Sequence, residues 1–221
     1  IIVILTFPIF GVCLYLLFGR SGAVNIMRGR FTRTDTELQP HYATPLDRAA
    51  MPQDPALQNQ IHYLQTQAHY PACRNTDVTY YGDTNAALEA QKTDLRKAQH
   101  FIFMEYHAIE DSSAWQGIED ILAERAAAGV EVRVFYDDMG SIGFVDTAFA
   151  KKLQQRGIQC RVFNPIVPVL NVFMNNRDHR KITVIDGQVG YTGGYNLADE
   201  YFNLTHPYGR WKDSGVRLEG D

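Results

Sequence analysis

Between residues 77 and 163, short β-branched and aromatic runs alternate with longer segments of helical period, and no other feature restricts the fold of this chain as tightly. The runs at 77–81, 101–106, 130–136 and 159–163 have the length and composition of strands. The segments 85–98, 112–128 and 145–155 between them read as helices. Ala86, Leu88 and Leu95 share the apolar side of the first. Ser112 or Ser113 caps the second, and Gly129 ends it. A strand followed by a helix, three times over, predicts a layered α/β domain. With 45% hydrophobic residues in 221, the composition supplies the core such a domain needs.

Ahead of that domain, residues 1–19 carry no charge. As one helix they reach about 28 Å, close to the hydrocarbon thickness of a bilayer. Pro8 and Gly11 are compatible with a membrane helix. The run is longer than the apolar core of a cleaved leader, and Arg20 follows it directly. We therefore expect one transmembrane helix over 1–19. Arg20, Arg28, Arg30 and Arg33 place the rest of the chain on the cytoplasmic side, and they suit anionic headgroups. Residues 20–70 read as a juxtamembrane basic segment and linker, with Pro40, Pro45, Pro52 and Pro55 breaking 34–55 and a helix over 56–69. The chain starts on Ile and ends on Leu218-Glu219-Gly220-Asp221, which has no tail-like composition, so it reads as a fragment.

The chemistry concentrates in residues 177–202. Strands at 181–185 and 188–192 flank Asp186-Gly187, a strong hairpin signal. His179 and Lys181, two apart, share a face if the strand starts early, with Ile182 and Val184 turned toward a core. A neutral imidazole beside an ammonium suits a phosphodiester: the imidazole attacks phosphorus and the ammonium neutralises an oxygen. Gly193 and Gly194 let the backbone approach closely, and Asn196 can donate to the same oxygens. Asp186, seven residues from His179, fails strict alternation and by itself reads as the first residue of the turn.

The frame His179-x-Lys181-x-x-x-x-Asp186 followed by Gly193-Gly194-x-Asn196 resembles the signature of the phospholipase D superfamily. Arg177 to Ile182, Asn196 to Tyr201, Tyr136 to Ser141, Phe163-Asn164-Pro165, Leu14 to Arg20 and Trp211-Lys212-Asp213 with Val216 to Gly220 resemble its cardiolipin synthase branch, over essentially the whole chain. Ser214-Gly215 departs from the Thr-His of many relatives. The resemblance implies a phospholipase D-like layered α/β/α domain with a mixed sheet over 71–221, preceded by the transmembrane helix. It implies two such halves meeting at one site, one histidine forming a phosphohistidine and the other serving as acid and base, without cofactor or metal. Carried onto this chain, His179 is the nucleophile, or alternatively the acid. Lys181 and Asn196, with Gly193 and Gly194, hold the phosphate, and Asp186 completes the catalytic group or supports it. Glu200 and Glu105 are candidate supporting residues.

Of the seven histidines only His179 opens such a frame, so the second half is expected in the same longer chain. His107 reads as structural. The implied reaction joins two phosphatidylglycerol molecules into cardiolipin with release of glycerol, at the inner (cytoplasmic) membrane of a bacterial cell. The alternatives are a single-motif nuclease or phosphodiesterase that works as a homodimer, and a noncatalytic membrane-attached half. The net charge of −4 and the apolar N-terminus count against a nucleic-acid partner. Cys13, Cys73 and Cys160 form neither a disulfide framework nor a metal spacing, and fit a reducing compartment.

Overall fold

A computed structural model of the chain describes residues 2–16, 22–41, 52–73, 75–166 and 176–220. The chain divides into two compact units, the first reaching to Asn75 and the second starting at Thr76.

In the first unit the apolar run forms α1 (Ile2–Thr6) and α2 (Pro8–Leu14) rather than one rod. They part at Phe7, whose φ of −131° and ψ of 78° leave the helical region. Pro8 is the cause, because its ring crowds the backbone of the residue before it. Among the described residues no helix is long and apolar enough to cross a membrane. Residues 17–19, which complete the expected span, lie outside the described residues, as does the stretch of linker around Pro45. α3 (Gly22–Leu38) runs into the stretch that the sequence marks as linker, so residues 34–38 are helical instead. Arg33 and Glu37, one turn apart, pair at 3.0 Å, and the helix stops two residues short of Pro40. α4 (Pro55–Thr66) has Pro at its first position and is capped by Asp54, which accepts from the Ala56 N–H.

The second unit is built on β1 (Asp77–Tyr81), α5 (Thr84–Leu95), β2 (Phe101–Tyr106), α6 (Ser113–Ala127), β3 (Glu131–Asp137), α7 (Phe149–Gln155), β4 (Gln159–Phe163), β5 (Lys181–Ile185), β6 (Val189–Gly193) and β7 (Gly215–Glu219). The seven strands form one mixed sheet in the order β1-β7-β6-β5-β2-β3-β4. β2, β3 and β4 are parallel neighbours, and the remaining pairs are antiparallel. β5 and β6 form a hairpin whose turn residues Asp186 and Gly187 have φ of 53° and 73°. Three residues, 186–188, connect Ile185 to its partner Val189, and the two successive positive φ values fall on Asp and Gly, which tolerate the left-handed region.

β1 to β4 run parallel and follow one another in one direction across the sheet. Crossovers of one hand that step in one direction leave their helices on one face. α5, α6 and α7 do lie together there. Ile102, Met104, Tyr106, Val132, Val134 and Tyr136 form the buried rows beneath Trp115, Ile118, Leu122, Phe149 and Leu153. Each such fully buried side chain stabilises the unit by about 1.5–3 kcal/mol. On the opposite face Val78 and Tyr80 are 60% and 69% exposed. The third layer of the expected α/β/α arrangement is therefore not among the described residues of this unit, whose helices cover one face of the sheet.

The helix-covered face of β5 is also the reverse of the sequence expectation. Lys181, Thr183 and Ile185 are the buried row, while Ile182 and Val184 are half-buried on the open face. Thr183 is tolerated there because Gln91 of α5 donates to its hydroxyl at 2.8 Å and Tyr106 lies 3.1 Å away. The cap of α6 also differs. Ser112 holds the cap position without a side-chain bond, and Asp199, 85 residues on, accepts from the Ala114 N–H at 2.8 Å.

Candidate active site

The antiparallel registers bring the start of β5, the ends of β1, β2 and β6 and the start of β7 to one end of the sheet. His179 lies at that end, exposed, two residues ahead of β5. Lys181 opens β5 opposite Tyr106, and its side chain is buried, with Nζ donating to the His179 carbonyl at 3.1 Å. The structure thus brings together the two residues the sequence pairs. The charge on Lys181, burial and His107 hold the His179 imidazole below its ordinary value, against the opposing pull of Asp178 and Asp137. A depressed imidazole is neutral at neutral pH and has a lone pair free to attack phosphorus. Burial likewise lowers Lys181, with Asp178 and Asp213 acting against it.

The segment carrying His179 is held from behind. Asp137, fully buried at the end of β3, accepts from the Asp178 N–H at 2.9 Å, from Arg177 Nη1 at 3.1 Å and from the Gly140 N–H at 3.0 Å. His107 donates its backbone N–H to the Arg180 carbonyl, and its Nδ1 lies 2.6 Å from the Asp178 carbonyl. A carbonyl only accepts, so Nδ1 carries the proton. The rings of His107 and His179 touch, with centroids 4.6 Å apart. Gly140 permits this packing, because a Cβ there would fall 2.7 Å from the His107 ring. By sequence, His107 is structural and Asp137 has no role. The structure makes both direct supports of His179, by contacts between β2, β3 and residues 177–180 that no local pattern records.

Glu105, a candidate supporting residue, sits in the same network. It pairs with Arg180 at 3.0 Å, and Arg180 in turn reaches Asp178 at 3.1 Å. Burial first, then the hydrogen bond and charge of Asp178, push Glu105 up to about 7. Burial works to raise Asp178 as well, but hydrogen bonds from Glu105 and Arg180 bring it down overall. Asp178 Oδ2 is buried with no donor of its own, and a protonated Glu105 supplies one. A raised carboxyl contributes stability that is complete below its unfolded value of about 4.3 and fades as pH rises through about 7. Asp178, being depressed, titrates below that window. Glu105→Gln keeps a donor at every pH. The thermal midpoint of the unaltered protein is therefore expected to fall relative to this variant between about pH 5 and about pH 8. A difference that stays constant over that range would show that the two carboxyls share no proton.

Asp186 stands apart from His179 and Lys181. It lies five residues beyond Lys181, about 17 Å along the strand direction. Its carboxylate accepts from the backbone N–H groups of Gln99, His100 and Phe101, each at 2.8 Å. Burial alone would raise this carboxyl, and those three donors with the nearby His100 hold it below its ordinary value instead. Asp186 fastens the hairpin to the start of β2.

Asn196, expected from the sequence to hold phosphate, is bonded within the protein. It is buried, its Oδ1 accepts from the Ala108 N–H at 3.1 Å, and its Nδ2 donates to the Tyr201 hydroxyl at 2.8 Å. The room left by Gly193 and Gly194 is occupied by neighbouring chain: a Cβ on Gly193 would fall 2.6 Å from the Ser214 carbonyl, and one on Gly194 would overlap the Asp213 carboxylate. Glu200 lies in a short turn of helix, Asp199–Phe202, and is buried. Burial raises its carboxyl, and the charges of Glu110 and Asp199 add to that. Among the described residues no cluster of histidine, cysteine and acidic side chains could hold a metal ion.

The family model described as "Cardiolipin synthase, PLD-like domain" matches residues 92–209. An uncharacterized protein of Streptococcus mutans is 45% identical over 152 residues, which is 69% of this chain and 33% of that protein. A cardiolipin synthase of Staphylococcus aureus is 32% identical over 100% of this chain and 46% of its own length. The chain thus spans less than half the length of these relatives. Among solved structures, a phosphatidylserine synthase of Haemophilus influenzae superposes with a TM-score of 0.48 at 11% identity, covering 74% of this chain and 40% of that one.

Proposed function

Since the chain belongs to the family of phospholipase D-like cardiolipin synthase domains, we propose that it supplies one half of a phosphatidyltransferase site that makes cardiolipin from two phosphatidylglycerol molecules. The observation that carries this reading is the exposed, neutral His179 imidazole beside the buried ammonium of Lys181. The second histidine comes from a second half, expected in the same longer protein.

A nitrogen of His179 attacks the phosphorus of the first phosphatidylglycerol. The bond from phosphorus to the glycerol oxygen breaks as the second histidine gives that oxygen its proton, and glycerol leaves. The phosphatidyl group then rests on His179 through a P–N bond. A hydroxyl of a second phosphatidylglycerol gives its proton back to the second histidine, its oxygen bonds to phosphorus, and the P–N bond breaks. Lys181 neutralises the phosphoryl oxygens throughout. Two phosphatidylglycerols become one cardiolipin and one glycerol, with no oxidant, reductant or metal in the balance.

Attachment to a membrane belongs to the same proposal. Ile2, Leu5, Phe7, Ile9 and Phe10 are all more than 60% exposed. An apolar surface of that kind, followed by Arg28 and Arg33, suits an anionic bilayer. The test is the full-length protein on phosphatidylglycerol vesicles. Cardiolipin and glycerol are expected in equal amounts. Phosphatidic acid as the main product, or cleavage of DNA without lipid turnover, would refute the reading.

A further inference from the structure

A cavity of about 590 Å3 opens between the turn after β1 and residues 203–213. It lies at the same end of the sheet as His179, because Tyr81 pairs with Gly215, Gly215 with Gly193, and Gly193 lies beside the start of β5. Neighbouring strands are about 4.8 Å apart, so β7 and β1 stand about 10–15 Å from β5.

The cavity is built rather than incidental. The Asn203 side chain accepts from the Trp211 N–H at 2.7 Å and donates to its carbonyl at 3.0 Å, fixing Trp211 in the wall. Trp211 packs on Tyr201, with centroids 4.6 Å apart, and Tyr201 bonds Asn196, which is tied to the residue after His107. Asp213 is held against Gly194 and accepts from the Ser214 N–H. On either side of Trp211 stand Arg210 and Lys212, both exposed, and neither makes an ion pair among the described residues. The lining therefore offers two cations for a phosphodiester, the Trp211 side chain for the carbons of a polyol, and Asp83 and Asp213 to accept from hydroxyls. The rim belongs to a segment with Leu204 and Tyr208 standing 53% and 77% exposed, as a rim meeting a lipid surface requires.

We propose that this cavity is the headgroup subsite of the accepting lipid: Arg210 and Lys212 hold the phosphodiester of a second phosphatidylglycerol while Asp83 and Asp213 orient its glycerol hydroxyls toward the phosphatidyl group on His179. The inference rests on the phosphatidyltransferase reading. It adds the place and the chemistry of the second substrate. The same glycerophosphate chemistry also occurs in soluble glycerol 3-phosphate, and the test separates the two sources.

The full-length protein and the double variant Arg210→Ala with Lys212→Ala are given phosphatidylglycerol vesicles. Transfer is measured to three acceptors: the lipid itself (cardiolipin), glycerol 3-phosphate, and labelled glycerol, which carries no phosphate and exchanges into phosphatidylglycerol. Loss of membrane attachment or of the donor site lowers all three together, so the ratio is the readout. Cardiolipin formation is expected to fall about tenfold relative to glycerol exchange, through a raised KM for the accepting lipid. An unchanged ratio overturns the subsite. Equal efficiency of glycerol 3-phosphate and the lipid in the unaltered protein overturns its assignment to a lipid. Absence of phosphatidyl transfer to every acceptor in the unaltered protein removes the enzyme reading itself, and the subsite with it.

Discussion

His179→Ala in the full-length protein is expected to lower cardiolipin formation by at least about a thousandfold while the fold survives. Both halves of that expectation come from where the residue sits. Its imidazole is exposed at the end of the sheet and is held neutral by the charge of Lys181. Removing it takes away the nitrogen on which the phosphatidyl group rests. His107 lies in ring contact with His179, and its Nδ1 donates to the Asp178 carbonyl. Stability depends little on an exposed side chain, so the thermal midpoint should move by no more than about 2 °C. Cardiolipin yield on vesicles and a melting curve check the two halves. A variant that unfolds, or one that keeps near-normal turnover, would remove His179 from the role assigned to it.

Asp186→Ala should do the opposite: cost stability and spare the chemistry of the molecules that remain folded. The carboxylate accepts from three successive backbone N–H groups at the start of β2, and the residue occupies a left-handed conformation at φ 53°. Alanine loses the three charge-assisted bonds and strains that backbone. The expected cost is about 3 kcal/mol, tempered because water can reach part of the site. Asn, which tolerates the conformation and keeps one acceptor oxygen, should recover much of it. Because the carboxyl is depressed in the folded state, its contribution is present above the unfolded value of about 3.9 and is lost as pH falls through the folded one. The stability gap between the unaltered protein and Asp186→Ala should therefore close toward strong acid. Denaturant unfolding across that pH range measures it. A variant of full stability but lost turnover would return Asp186 to the catalytic group.

Asp186 also marks how far the sequence carries. Seven residues separate it from His179, so alternation alone assigns it to the turn, and the structure puts it there. The signature that resembles a known family draws it into the catalytic group instead. The alternation of period from 77 to 163 and the Asp-Gly hairpin are legible because both signals are local. β7 also carries a local signal, Val216 and Leu218 alternating with Arg217 and Glu219 between two glycines, but five residues are few against a polar surrounding. α3 is hidden when its arginines are weighed as charges rather than as helix formers. The reversed faces of β5 have no local signal. A buried row of Lys181 and Thr183 makes sense only once Gln91, 92 residues from Thr183, has arrived to bond it. The same holds for Asp137 and for Asp199, whose bonds to the Asp178 and Ala114 N–H groups join segments far apart in sequence. Period and turn chemistry thus reveal the elements. The residues that hold the site in place are set by contacts that exist only after folding.

The central claim is that the phosphatidyl group passes through His179. Full-length protein mixed with phosphatidylglycerol labelled at phosphorus, quenched in base and digested, reports that step directly. The expected result is a base-stable, acid-labile label on the peptide that contains His179. Cardiolipin formed with the label on a different residue, or on none, would contradict it.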